Sequence, residues 1–256
     1  MKTLEESIAT AMDWREDVAI IPFLPYILQD FWEMGTPAEV VIDFVETWRA
    51  ASQQHTPSLL DLGCGKGAVS VKLAAALQYN CYGIDGIPGF IEMAKEKAKE
   101  YGVDALCRFE AGDIREKINE PGTFDVIVLG AIGAVFGDYY ATLTTLSEHL
   151  NPDGIVIIND AYIDETSDFQ YPSLLNRREL LRQTEQAGME LIDENTDFPT
   201  DYAIEFEKLK KRCEELMTEY PEQAALFEKY IQTQLYEYDA LENKMICSMM
   251  VFRKNE

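Results

Sequence analysis

Histidine is nearly absent from this sequence, with only His55 and His149 among 256 residues. A metal centre built on imidazole ligands is therefore hard to assemble, and none is expected. Cysteine is sparse and unpatterned. Cys64, Cys81, Cys107, Cys213 and Cys247 are odd in number, scattered, and form no C-x-x-C pair. That usage argues against a disulfide framework or a zinc knuckle and predicts buried free thiols in a reducing compartment. Positive charge is scarce, since 22 Lys+Arg stand against 46 Asp+Glu for a formal net charge of −24. Such a surface repels phosphate backbones and anionic lipids, so neither nucleic acid nor a membrane is an expected partner. Long apolar runs are also missing. The most apolar early stretch, Val18 to Leu28, is too short to cross a bilayer and carries Pro22 and Pro25. The opening residues MKTLEES show no basic leader followed by a hydrophobic segment, and a cytoplasmic location is expected. Hydrophobic residues nevertheless make up 47% of the chain. That is enough for a core, so the acidity does not signify disorder.

What is present separates into three regions. Residues 1–55 read as an N-terminal helical cap segment. Thr36-Pro37-Ala38-Glu39 combines a capping box with proline at the first helical position. Val40, Val41, Phe44, Val45 and Trp48 follow at helical spacing, and the polar stretch Gln53 to Pro57 closes the segment. From residue 56 to 196, short apolar strands alternate with helices. Strands are predicted at 58–62, 81–84, 105–110, 124–129, 154–159 and 189–193, and helices at 68–78, 88–101, 138–149 and 173–187. Fully apolar strands alternating with helices argue for an α/β, doubly wound, mostly parallel sheet with helices on both faces. Residues 197–243 break the alternation with two charged amphipathic helices parted at Tyr220-Pro221. This helical insertion reads as a lid or substrate cap, after which 244–256 returns to the sheet with a strand at 245–253.

The chemistry concentrates in Leu59-Leu60-Asp61-Leu62-Gly63-Cys64-Gly65-Lys66-Gly67-Ala68. A buried strand ends in three alternate glycines and a helix starts at once, which suits a backbone that must turn sharply against a ligand. Asp85 closes the second strand, where a carboxylate could accept from both hydroxyls of a ribose. Nicotinamide enzymes use the same device, so the loop and Asp85 alone do not separate cofactors. Gly112-Asp113-Ile114 then closes the third strand, Phe124 to Gly130 forms the fourth, and Leu150-Asn151-Pro152-Asp153-Gly154 turns into the fifth.

With these motifs in this order, the sequence resembles the class I S-adenosylmethionine-dependent methyltransferases, in particular their small-molecule branch. The resemblance is tight over about residues 56–160, looser over 173–196 and 244–254, and absent in 1–55 and 197–243. It implies a seven-stranded Rossmann-like sheet with an antiparallel last strand, S-adenosylmethionine as cofactor, S-adenosylhomocysteine as product, and a small-molecule methyl acceptor. It also implies roles. Gly63, Cys64, Gly65 and Gly67 would form the loop under the methionine moiety, with Asp61 positioning that loop or the bound amino group. Asp85 would hold the ribose, with Gly86 and Ile87 beside the adenosine. Asp113 and the Ile114 amide would read the adenine edge, and Leu129 and Gly130 would bring carbonyls near the sulfonium or the acceptor. The turn Pro152-Asp153-Gly154 departs slightly from the family's glycine-rich form.

Asp160, Tyr162 and Asp164 follow the predicted fifth strand and are the candidates for contacting or deprotonating the acceptor. Asp125, at the start of the fourth strand, reads as structural, His149 as a helix C-terminal residue, and Cys64 as an apolar filler with nothing nearby to activate it. Most aromatics of the flanking regions read as core, as the helical spacing of Phe227, Tyr230 and Tyr238 with Ile231 suggests. The acidic excess of the insertion reads as solvated helix faces. Methyl transfer needs positioning and exclusion of water more than a fixed catalytic triad, and the methylated atom is left open among oxygen, nitrogen and carbon. Two rivals remain: a non-catalytic S-adenosylmethionine sensor or partner subunit, and an NAD(P)-dependent oxidoreductase. The latter should present a Tyr-x-x-x-Lys pair near the later strands, where none is found. A ligand-free acidic interaction module leaves the ordered spacing of Gly63, Asp85 and Asp113 unexplained.

Overall fold

Alternate residues of each central strand serve opposite faces, which is why these strands read as unbroken apolar runs. In the computed structural model Leu59, Val126, Val128 and Ile157 face one core, while Leu60, Leu62, Ile127 and Ile158 face the other. The structure describes residues 3–12, 14, 17–48, 56–120, 122–172, 174–197 and 201–255. His55, the polar residues Gln53 and Gln54, and the start of the insertion at 198–200 lie outside them.

The chain opens with helix α1 (Leu4–Ala11), a 3-10 turn over Val18–Phe23, α2 (Leu24–Ile27) and α3 (Ala38–Trp48). There follow β1 (Ser58–Leu62), α4 (Ala68–Leu77), β2 (Asn80–Asp85), α5 (Pro88–Glu100), β3 (Cys107–Ala111), α6 (Ile114–Lys117) and β4 (Phe124–Gly130). The remainder comprises α7 (Tyr139–Ser147), β5 (Leu150–Tyr162), α8 (Arg177–Gln186), β6 (Met189–Asn195), α9 (Tyr202–Glu219), α10 (Ala224–Asn243) and β7 (Ile246–Lys254). One seven-stranded sheet has the order β3-β2-β1-β4-β5-β7-β6. Strands β1 to β5 run parallel, and β7 runs antiparallel to both β5 and β6. The winding reverses between β1 and β4, so a crevice opens beyond their carboxyl ends.

Three differences from the sequence reading have physical causes. Strand β5 is longer than 154–159, because its antiparallel ladder with β7 carries pairing through Asn159 and Asp160 to Tyr162. Helix α8 starts at Arg177, where the Asn176 side chain caps it by accepting from the Glu179 amide. Helix α3, placed by sequence in the N-terminal cap segment, instead covers the sheet. Ala38, Val41, Phe44 and Val45 pack into the same core as β1 and α4.

A third core lies apart from the sheet. Trp14, Ile20, Leu24 and Ile27 from the N-terminal segment pack with Leu209, Cys213, Phe227 and Tyr230 from the α9–α10 pair. Ile87 and Phe90, at the start of α5, join this cluster to the sheet. Two stretches far apart in sequence thus form one body over the crevice. Among the described residues no helix is long and apolar enough to cross a membrane.

Candidate functional site

The glycine loop is pinned to its neighbouring strand. The amides of Gly63 and Cys64 both donate to the Ile84 carbonyl, at 2.8 and 3.0 Å. Gly67 then starts α4 at φ +73°, and a Cβ there would lie 2.8 Å from Phe109 Cζ and 2.9 Å from Ala94 Cβ. Gly67→Ala should therefore destabilise the fold by about 1–3 kcal/mol, through the left-handed backbone and the crowding together. Urea unfolding reads this directly, and unchanged stability would show that the loop can relax. Asp61 is buried and accepts from the Ser70 hydroxyl at 2.7 Å, tying α4 to β1. It does not face the crevice. Cys64 is likewise buried, and burial pushes its thiol well above the usual range. Asp61, Cys64, Gly65 and Gly67 shape the site from beneath, whereas Gly63 lines it.

Asp85 organises the mouth of the loop. Its Oδ2 accepts from the Gly65 amide at 2.9 Å and its Oδ1 from the Ile87 amide at 2.8 Å. Asp113 caps α6 by accepting from the Arg115 amide at 2.9 Å and also pairs with the Arg115 guanidinium. Arg115 holds its carboxyl below the ordinary range. Asp85, Gly86, Ile87, Asp113, Ile114 and Gly130 all line one cleft of about 350 Å³. Leu129 lies one residue back from Gly130 and lines an adjoining chamber of about 380 Å³.

Several wall residues come from places the motifs did not mark. A Cβ on Gly65 would meet Met34 Cε at 2.2 Å, and one on Gly86 would meet Ile8 at 2.8 Å. The N-terminal segment therefore lies directly on the loop and on the end of β2. Lys66, between two of the glycines, is almost fully buried, at 2% exposure. Its ammonium donates to the carbonyls of Leu28 and Phe31, while the Trp32 indole donates to the Lys66 carbonyl at 3.1 Å.

At the other end of the cleft stands Asp160. Its Oδ2 accepts from the Tyr139 hydroxyl at 3.1 Å and its Oδ1 from the Ala161 amide at 2.8 Å. Tyr162 and Asp164, grouped with it by sequence, do not line the cleft. Because β5 extends to Tyr162, that ring falls in the buried core of the sheet, and Asp164 is exposed and turns back to accept from Thr166. Tyr171, Tyr202, Glu205 and Tyr238 complete this end. Tyr202 and Tyr238 meet edge to face with ring centroids 5.9 Å apart, and the Tyr202 hydroxyl lies 3.1 Å from Cys247 Sγ. Asp125 sits elsewhere, accepting from Ser58 and Asn151 at the opposite end of the sheet.

Burial raises the carboxyls of Asp61, Asp85 and Asp160 each to about 6. A folded-state value above the unfolded one means that between about pH 4 and 6 the native protein holds protons the unfolded chain has released. Stability contributed by these groups is present at low pH and lost as pH rises through 6. The ligand-free protein should thus be more resistant to urea at pH 5 than at pH 7.5, by about 1–3 kcal/mol. Paired carboxyls such as Asp113 act oppositely, but only below the ordinary carboxylate range, outside this window. A stability that climbs steadily from pH 5 to 7.5 would contradict the assignment.

A family model described as a methyltransferase domain matches residues 56–238. Over 139 residues the chain is 32% identical to Methyltransferase-like protein 27 of Homo sapiens, covering 53% of this chain and 51% of that protein. Norajmaline N-methyltransferase of Rauvolfia serpentina is 29% identical over 117 residues, with 40% and 39% covered. The ubiquinone biosynthesis O-methyltransferase of Azorhizobium caulinodans is 32% identical over 101 residues, again with 40% and 39% covered. The chain thus spans between about two fifths and half of the length of these curated relatives. In fold it is similar to a SAM-dependent methyltransferase from Geobacter sulfurreducens solved with S-adenosyl-L-homocysteine. The TM-score is 0.76 at 16% identity, over 91% of this chain and 98% of the other.

Proposed function

The chain belongs to the methyltransferase-domain family, and on that premise we propose that it transfers a methyl group from S-adenosylmethionine to a small-molecule acceptor. The observation that carries this reading is the continuity of the cleft, which joins the Gly63–Asp85–Asp113 half to the Asp160–Tyr202 half. In the first half, Asp85 would accept from the ribose hydroxyls and Asp113 from the adenine amino group, with Gly86, Ile87 and Ile114 packed beside the base. Gly63 and Gly130 would leave room for the methionine arm, over a loop shaped by Asp61, Cys64, Gly65 and Gly67. Leu129 would support Gly130 from behind.

The residues suit this ligand electrostatically. Glu33, Asp85, Asp113, Asp160, Glu205 and Glu237 line the cleft, and among its described lining residues there is no Lys, Arg or His. Carboxylates favour a ligand bearing a sulfonium and an ammonium, whereas they oppose the pyrophosphate of a nicotinamide dinucleotide. The cofactor supplies a methyl carbon made electrophilic by positive sulfur. The chain's own task is then to hold the acceptor in line and keep water out. The body formed by the N-terminal segment and α9–α10 would act as the cap that does so. Asp160, fixed at both oxygens by Tyr139 and the Ala161 amide, would take a proton where the acceptor has one to lose. A net charge of −24 favours a small acceptor over a polyanionic one.

Titration calorimetry with S-adenosylmethionine, S-adenosylhomocysteine, NAD and NADP tests the reading. Binding of the adenosyl pair alone supports it, and isotope transfer to small acceptors then completes it. Binding of NAD or NADP instead, or of no ligand, would overturn it. Tight adenosyl binding with no transfer across a broad acceptor panel would favour the sensor.

A further inference from the structure

The acceptor half of the cleft has two contrasting parts. On one side, Asp160 and Glu205 share the wall with the rings of Tyr202 and Tyr238. The sheet and the α9–α10 pair converge there. Ala161, next to Asp160, pairs across the sheet with Cys247, whose sulfur touches the Tyr202 hydroxyl. Glu237 also lines this part and accepts from the Gln234 side-chain amide at 2.8 Å. On the other side, beyond Ile132, opens the chamber of about 380 Å³, with Leu129, Ala134, Ile158, Leu174 and Leu175 among its walls. Asp160 and Asn159 line both spaces, so the two communicate at the end of β5. Carboxylates and aromatic rings on one wall attract a cation. The apolar wall of the chamber, from Leu129, Ile158, Leu174 and Leu175, would stabilise hydrocarbon removed from water, while Asp138, Tyr139 and Thr142 line its polar side.

We infer that the acceptor is an amine bearing an apolar group, bound as its ammonium beside Asp160, Glu205 and the Tyr202–Tyr238 rings with its hydrocarbon part in the side chamber. The ammonium would give its proton to Asp160, and the freed nitrogen lone pair would take the methyl group as the thioether leaves. This rests on the methyl-transfer reading and narrows it to a substrate class. A carboxylic acid acceptor would meet like charge at Asp160 and Glu205. A neutral alcohol would fill the chamber but leave the carboxylates with no counter-charge.

The test is calorimetry on the full chain saturated with S-adenosylhomocysteine, using linear alkylamines, alkanols and alkanoates of four to eight carbons as probes. Amines should bind, with affinity rising about threefold per methylene until the chamber is full. Alkanols should be about tenfold weaker and alkanoates undetectable. Glu205→Gln, on α9 away from the glycine loop, should weaken amine binding about tenfold and S-adenosylhomocysteine binding by no more than about twofold, because Glu205 touches that ligand only through the long-range field of the cleft. Preferential binding of alkanols or alkanoates would overturn the inference, as would S-adenosylhomocysteine binding with no amine bound. So would an amine affinity indifferent to both chain length and Glu205→Gln. Failure of S-adenosylhomocysteine itself to bind would remove the underlying reading and this inference together.

Discussion

Asp85→Asn should abolish most adenosyl-ligand affinity while leaving the ligand-free protein as stable as before. Asp85 does two things at once in the structure: each carboxylate oxygen holds one backbone amide, Gly65 or Ile87. In the proposed complex its remaining lone pairs face the ribose. An asparagine can keep one of those amide contacts, but its NH2 group then opposes the other N–H, and the charge that strengthened every bond is gone. Charged hydrogen bonds contribute about 1.5–3 kcal/mol each, so losing two of them should weaken S-adenosylhomocysteine binding by about 3–4 kcal/mol, several-hundredfold. Stability moves differently. Burial raises this carboxyl to about 6, so the carboxylate present at neutral pH is a cost to the fold that asparagine removes. Unfolding free energy should stay within about 1 kcal/mol of wild type, the lost amide bond offset by the lost buried charge. Calorimetry and urea unfolding on the same preparation separate the two effects. Full ligand affinity in a folded Asp85→Asn protein would place the ribose elsewhere, and a collapse of stability would mean that Asp85 serves mainly to hold the loop.

The sheet and its ligand-facing strand ends were legible in the sequence because local rules govern them. Strand β1 followed by Gly63, Gly65 and Gly67 announces a turn, and the apolar runs at 58–62 and 124–129 announce strands buried on both faces. Asp85 and Asp113 were locatable because each closes a short strand. Of the three residues grouped after the fifth strand, Asp160 lines the cleft and Tyr162 and Asp164 do not. The length of β5 is set by its pairing with β7, a partner almost ninety residues on, and no local signal records that. Tyr139 went unmarked for the same reason, since its contact with Asp160 spans two elements. The core shared by the N-terminal segment and α9–α10 was visible only as two separate helical regions. Their union into one core through Trp14, Phe227 and Tyr230 depends on long-range packing of faces that each read simply as amphipathic. Tyr202 and Tyr238 carry no signature that separates a cleft wall from a core.

Lys66 is the clearest such omission, and it leads to the second large effect. A lysine between glycines reads as a solvent-facing loop residue, yet this one is buried and grips the carbonyls of Leu28 and Phe31. Its ammonium also lies 5.7 Å from the centre of the Phe90 ring. Those carbonyls belong to the turn just after α2, where the Phe31 amide also donates to the Leu28 carbonyl at 3.1 Å. Lys66 therefore links the glycine loop to the N-terminal segment that lies on it. Burial lowers its pKa to about 8, so holding the charge there has a cost that the two carbonyl bonds must exceed. Lys66→Met keeps most of the stem volume but removes every donor. The Leu28 carbonyl retains its bond from the Phe31 amide, whereas the Phe31 carbonyl loses its ammonium partner, at about 1–3 kcal/mol. The charge penalty disappears at the same time, which leaves an expected net loss of about 1–2 kcal/mol. Because the stranded carbonyl lies in the covering segment, proteolysis between α2 and α3 should quicken more than global unfolding does. S-adenosylhomocysteine affinity should fall as well, since Met34 and Phe31 line the cleft from that segment. A Lys66→Met protein with undiminished stability and unchanged proteolysis would show that the buried ammonium is neutral for the fold, as happens where apolar replacement removes a desolvation penalty of equal size. The covering segment would then be held by the Trp14–Phe227–Tyr230 core and by contacts such as Arg212 with Asp30, and the Lys66 ammonium would have no part in binding.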